Sequence, residues 1–234
     1  MGDHVPAPMP HHGLQPIVDD AWYLQGSVQL QPLVRLQRNM VVLRHAGRLT
    51  LVNAIRLDEA GEAALDALGR VRHVVKIGHH GMDDAYYLDR YEATHWALPG
   101  PAKALGARVL RADDLPHPRL SLFVFELTKE PEAALLLSTG GGVLITCDAV
   151  QHWAPSDLMS WGARAVTLLL GFRHPAQIGP PWRKLNTPDG GSLRPDFERL
   201  AALPFEHLIG GHGGLCRDEA KARLQETIHR VFDR

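Results

Sequence analysis

Two cysteines in 234 residues, Cys147 and Cys216, cannot build a disulfide framework, and such sparse use suits a reducing compartment. No charge of either sign prevails: 25 Lys and Arg stand against 26 Asp and Glu, so composition gives no support to nucleic acid or an anionic membrane surface as partner. A small-molecule ligand is expected instead. Long hydrophobic runs are also missing. The most apolar window, VTLLLGF, is cut by Gly171, Arg173 and His174, far short of a bilayer span. The opening MGDHVPAPMPHHGLQPIVDD lacks the basic start and apolar stretch of a secretory signal, and is expected to be a loose arm over 1–20 ahead of one domain over 21–234. A cytoplasmic location follows as an expectation, and no repeat of fixed period is present.

What is there is a 45% hydrophobic chain, enough for a substantial single core. From Trp22 to Val52 short β-type runs (SVQLQPLVRL, NMVVLRH, LTLVN) read as hairpins, one of them joined at Ala46 and Gly47. LDEAGEAALDALG then switches to helical spacing, with Asp58 placed as cap and Gly69 as stop. RHVVKIG reads as a strand, AYYLDRY and AKALGARVL as helical segments. LSLFVFEL, AALLLS and GVLITCDAV open a second strand-rich half. FERLAALP reads as a helix, FEHLIGGHGG as a last strand and turn, and RDEAKARLQETIHRVF as a closing helix with Leu224, Ile228 and Val231 on one face. The Pro- and Gly-rich stretch around 174–189 has no period and is expected to be a surface loop that supplies Trp182 and Arg183 to a pocket rim.

Four polar sites end apolar strands: HHGMDD at 79–84, LPHP at His117, TCDA at Asp148 and GGHG at His212. Strand ends are where α/β folds hold ligands, and imidazole with carboxylate is the donor set for zinc, iron or manganese. A plainer reading stands beside each. A strand-end histidine can bond backbone, Asp83 or Asp84 can cap the following helix, and His117 between two prolines suits a surface turn. Asp148, one residue past VLIT, requires a partner in an apolar setting, and a glycine turn has no need of an imidazole at His212. His80 should point away from its neighbour, although a turn beginning at Gly81 could rotate it inward. Cys147 reads as a small buried residue.

The order and spacing of the four sites resemble the metallo-β-lactamase superfamily, whose first motif is H-x-H-x-D-H. On it His79 takes the first His and Asp83 the Asp, while Gly81 replaces the second His and Asp84 the last. His117 is the natural counterpart of the third-motif His, GVLITCDAV resembles L-x-T-G-D-A at Asp148, and LIGGHGG supplies the late G-H-G turn at His212. More narrowly, LVNAIRLDEAGEAALDALGRVRHVV with the His-His pair and WALPG resembles an uncharacterised branch grouped as a domain of unknown function. Asn53 and Ala54 stand there in place of the usual acid.

The resemblance implies an α/β fold of the αββα sandwich type and one or two divalent transition metals. Asp148 would bridge two positions, one held further by His79 and His117, the other by Asp83, Asp84 and His212. A carboxylate-rich second position would favour manganese or iron over zinc. Asp83 would orient a metal-activated water for hydrolysis of an ester, lactone, thioester or phosphoester. The replacements at Gly81 and Asp84 leave a second expectation open, a metal-free fold that binds a ligand or partner without turnover.

Overall fold

A computed structural model describes residues 7–233. The chain opens with β1 (Gln15–Val18), the long hairpin β2 (Ala21–Gln31) and β3 (Val34–His45), and β4 (Arg48–Val52). Ala46 and Gly47 both take positive φ, 49° and 70°, as the tight β3–β4 hairpin turn requires. Helix α1 (Glu59–Leu68) follows, its first turn capped by the Asp58 carboxylate, which accepts from Gly61 N at 2.8 Å. Then come β5 (Arg70–Lys76), α2 (Asp84–Tyr91), β6 (Thr94–Ala97), α3 (Pro101–Leu105) and β7 (Arg108–Val109). These seven strands form one sheet in chain order, antiparallel up to β4 and parallel after it.

The second half adds β8 (Leu120–Val124), β9 (Ala133–Leu137), β10 (Val143–Ile145), β11 (Val150–Gln151), α4 (Trp161–Leu169), β12 (Gln177–Ile178), α5 (Pro180–Asn186), α6 (Arg194–Ala202), β13 (His207–Ile209), β14 (Leu215–Cys216) and α7 (Ala220–Phe232). Strands β14, β13, β10, β9 and β8 make a five-stranded sheet in that order.

Period-two alternation divides the apolar residues between the faces. Val41, Leu43 and Val75 of the first sheet pack with Leu135, Leu137, Val143 and Ile145 of the second, forming the layer between the sheets. Their sequence neighbours Met40, Val42 and Val74 turn outward to meet Leu65 of α1 and Tyr87 of α2. On the far side Leu136, Leu144 and Leu208 meet Phe197 and Leu200 of α6 and Leu224 and Ile228 of α7. The architecture is the αββα sandwich expected from the sequence.

Within the segment expected as a loose arm, Gln15–Val18 pairs with β2, and Ser27 Oγ donates to the Pro10 carbonyl at 2.9 Å; residues 1–6 lie outside the described residues. The 174–189 stretch, expected to be an irregular loop, carries β12 and α5, the latter started by Pro180 and Pro181. Among the described residues no helix is long and apolar enough to cross a membrane.

Candidate metal centre

Three chain segments meet where β5, β10 and β13 end. Gly78 to Gly81 leave β5 in a turn held by Lys76, whose ammonium donates to the carbonyls of His79 and His80. Gly81 sits at φ 139°, and a Cβ there would come within 2.5 Å of Asp84 Oδ2 and 2.8 Å of Lys76 Nζ. A side chain at 81 would be strained and would displace Asp84 or Lys76. The preceding residue, His80, turns into the site instead, realising the rotation that the sequence left open. Its ring is admitted by Gly211, where an added Cβ would stand 2.9 Å from His80 Cε1.

His212 is fixed by the turn after β13. Asn39 Nδ2 donates to the Gly210 carbonyl at 2.9 Å and to that of Gly213 at 3.1 Å, and Gly211 N donates to the Cys147 carbonyl at 2.8 Å. The ring is oriented through Nδ1, which donates to the Gln37 carbonyl at 2.6 Å and so leaves the Nε2 lone pair facing the site. Asp148, after β10, brings Oδ1 to 3.4 Å from His80 Nε2 and 3.4 Å from His212 Nε2, while the two Nε2 atoms are 3.1 Å apart. These are the residues whose donor atoms converge as a metal site would require. Ligand atoms 2.0–2.1 Å from one tetrahedral zinc stand roughly 3.3–3.4 Å apart, so the triangle fits a single ion, and two imidazoles with one carboxylate suit zinc or iron.

The electrostatics agree with that grouping. Burial alone would push the Asp148 carboxyl up, but the two imidazoles outweigh it and hold the carboxyl well below the ordinary range. Burial lowers His80. It would lower His212 too, yet the hydrogen bond and charge of Asp148 prevail there and raise it.

The remaining site residues expected from the sequence go elsewhere. His79 lines the adjoining cavity, but its imidazole is outside the three-residue cluster. Asp83 is buried in an ion pair with Arg38 and accepts from Arg56 N at 2.9 Å, so it neither caps α2 nor reaches the centre. Asp84 faces His95 Nε2 at 3.3 Å. The carboxylate-rich second position is therefore not assembled. His117 lies at the opposite end of its sheet. It precedes Leu120, which is in register with Leu137 and through it with Val143, the start of β10, whereas Asp148 follows the end of β10. His117 bonds backbone there, accepting from Arg119 N at 3.2 Å.

The position just before the strand pair that ends in Asp148 belongs to Glu132, a residue the sequence reading passed over. Its carboxylate is buried, accepts from Asp148 N at 3.0 Å, Ala149 N at 2.7 Å and Trp182 Nε1 at 2.6 Å, and is pushed up to about 8 by burial, with the Asp148 charge adding. With both oxygens engaged, Glu132 braces the Asp148 loop. Cys147 is fully buried; burial and the neighbouring carboxylates keep it a thiol. Trp182 lines the cavity as expected, but Arg183 faces a separate hollow beside His174 and Arg230.

No protein-family profile matches the chain, and no curated protein does. Solved structures do. A metallo-β-lactamase from Erythrobacter litoralis superposes at TM-score 0.64 with 14% identity, over 93% of this chain and 92% of its own. The metallo-β-lactamase FIM-1 from Pseudomonas aeruginosa, in a mono-zinc form, gives 0.64 at 12% identity over 97% and 99%. One from Hirschia baltica gives 0.63 at 12% over 94% and 98%. With its two main sheets, flanking helices and strand-end cluster, the chain has the metallo-β-lactamase fold.

Proposed function

We propose that this protein is a metal-dependent hydrolase of a small ester, lactone, thioester or phosphoester, working with one zinc or iron ion held by His80, Asp148 and His212. The observation that carries the reading is the triangle of donor atoms, 3.1, 3.4 and 3.4 Å on its edges, opening onto a cavity. A bound ion would supply a water of near-neutral pKa and polarise a carbonyl or phosphoryl oxygen. The chain's own part is orientation. Gln37 fixes the His212 ring, Glu132 holds the Asp148 backbone, and Gln151 Nε2 donates to Asp148 Oδ1 at 3.1 Å, leaving the carboxylate few other conformations. Trp153, Phe172 and Trp182 give the cavity an apolar wall.

One observation favours a second reading, ligand binding without turnover: Asp83, the residue expected to orient water, is committed to Arg38. Elemental analysis of protein purified without added metal, followed by assay on ester, lactone, thioester and phosphoester panels, separates the two. A hydrolase contains near-stoichiometric transition metal and turns over at least one class, and loses both on Asp148→Ala. Metal-free protein that stays inert after zinc or iron loading would establish the binding module.

A further inference from the structure

The cavity beside the centre is large, about 630 Å³, and its walls are apolar over most of their extent. Asp148, His212 and Glu132 line it together with Trp153, Phe172 and Trp182. One face of α4 also lines it, where Ala163, Val166, Thr167 and Leu170 recur at helical spacing. Only Ala163 and Thr167 of that face are buried; Val166 is 40% and Leu170 48% exposed. The face is thus not spent on the protein's own core, although the helix is firmly seated. Ser160 caps it by accepting from Ala163 N at 3.1 Å, and its hydroxyl also donates to the Leu33 carbonyl at 2.8 Å and accepts from Arg35 N at 3.1 Å. Arg35 Nε adds a bond to the Leu158 carbonyl at 2.9 Å. A helix anchored to the β2–β3 hairpin at its start, with an apolar face held open toward a cavity, is a wall built for a ligand.

Several of the other polar groups on the lining are paired within the protein. Lys129 pairs with Asp189 at 2.6 Å, and Asn186 accepts from Glu130 N at 3.1 Å and donates to the Trp182 carbonyl at 3.1 Å. The densest group of donors and acceptors on the lining is that of Asp148 and His212, with Glu132 and His79 beside them. That asymmetry suits an amphiphile.

We infer that the substrate carries one unbranched alkyl or acyl chain, lying along the α4 face between the hairpin and α5, with its hydrolysable carbonyl group at the centre. This substrate class rests on the hydrolase reading, but the chain-binding cavity can be tested without it. Each methylene transferred from water into an apolar wall strengthens binding roughly threefold to fourfold.

The experiment is calorimetric titration of straight-chain alcohols, butanol to decanol, into metal-free and zinc-loaded protein, beside turnover of nitrophenyl esters from acetate to decanoate. Single-site affinity should climb by roughly that factor per carbon in both forms, and kcat/KM should follow it. Val166→Asp and Leu170→Asp, each at a partly exposed position, should cut octanol affinity at least tenfold with melting temperature and metal content unchanged. Alcohol affinity that ignores chain length, or survives both aspartates, overturns the inference even if short esters are hydrolysed. Length-dependent alcohol binding without metal uptake or ester turnover would instead keep the cavity assignment and overturn the hydrolase reading.

Discussion

His80 Nε2 and His212 Nε2 stand 3.1 Å apart, with Asp148 Oδ1 3.4 Å from each. Because His212 Nδ1 already donates to Gln37, its Nε2 presents a lone pair toward His80 and Asp148, as a metal ligand must; without an ion, a neutral His80 can donate its Nε2–H to that lone pair. Metal content should therefore depend on His80 and hardly at all on its neighbour. Metal analysis of His80→Ala is expected to show an emptied protein, and of His79→Ala a protein still filled.

Gly211 leaves room for the His80 ring, since an added Cβ would lie 2.9 Å from Cε1 and 3.1 Å from the Cys147 carbonyl. Gly211→Ala should displace His80 and weaken zinc affinity roughly tenfold to a hundredfold, the range for a lost orienting contact. Competition against a chromophoric chelator measures it; unchanged affinity would mean that the ring position is not set by this contact.

Glu132 answers three donors, two of them backbone groups of the Asp148 loop. Glu132→Leu leaves all three unpaired and should cost about 2–4 kcal/mol in stability. Glu132→Gln keeps one oxygen for the two backbone groups and should recover about half of that loss. Urea unfolding of metal-free protein resolves the difference.

Acid should destabilise the fold partly through histidines remote from the centre. His73 is held below its ordinary value by burial and by Arg48, Arg108 and Arg72, and its Nδ1 accepts from Trp96 Nε1 at 3.1 Å. Burial likewise lowers His117. The unfolded chain takes up these protons near pH 6.5, before the folded one does, so stability is complete above about 6.5 and falls as pH drops toward the lower folded values. Urea midpoints between pH 7.5 and 5.5 should decline less steeply in His117→Gln than in the parent, with metal content untouched. An equal slope would mean that His117 protonation does not contribute.

The fold was legible where local chemistry and pattern agree: the Ala46–Gly47 turn, Asp58 capping α1 and the alternation in VVLRH all have one structural meaning. Helix α4 was hidden because WGARAVTLL keeps an apolar face without a core to bury it, and so reads as a bare apolar run. In the centre, Asp148 and His212 were legible because each ends an apolar strand that enters the sheet interior. His80 was obscured by one residue of offset, set by the turn through Gly81 at φ 139°, the Lys76 contacts to that turn and the room left by Gly211.

His117 illustrates a topological ambiguity. LSLFVFEL reads as the first of the strand pair leading to Asp148, but the chain crosses the sheet once more, so the pair is β9 and β10 and the residue before it is Glu132. The signal that could have found it is an acid directly ahead of AALLL, a run too apolar to receive a carboxylate without dedicated donors.

The proposed centre holds a single ion between two imidazoles and one carboxylate. X-ray absorption at the zinc edge of zinc-loaded protein, with stoichiometry measured on the same sample, tests it most directly. One zinc per chain with two imidazoles in its shell, and no ordered site in Asp148→Ala, is the predicted result; two zinc ions per chain, or a shell unchanged in His80→Ala, would contradict it.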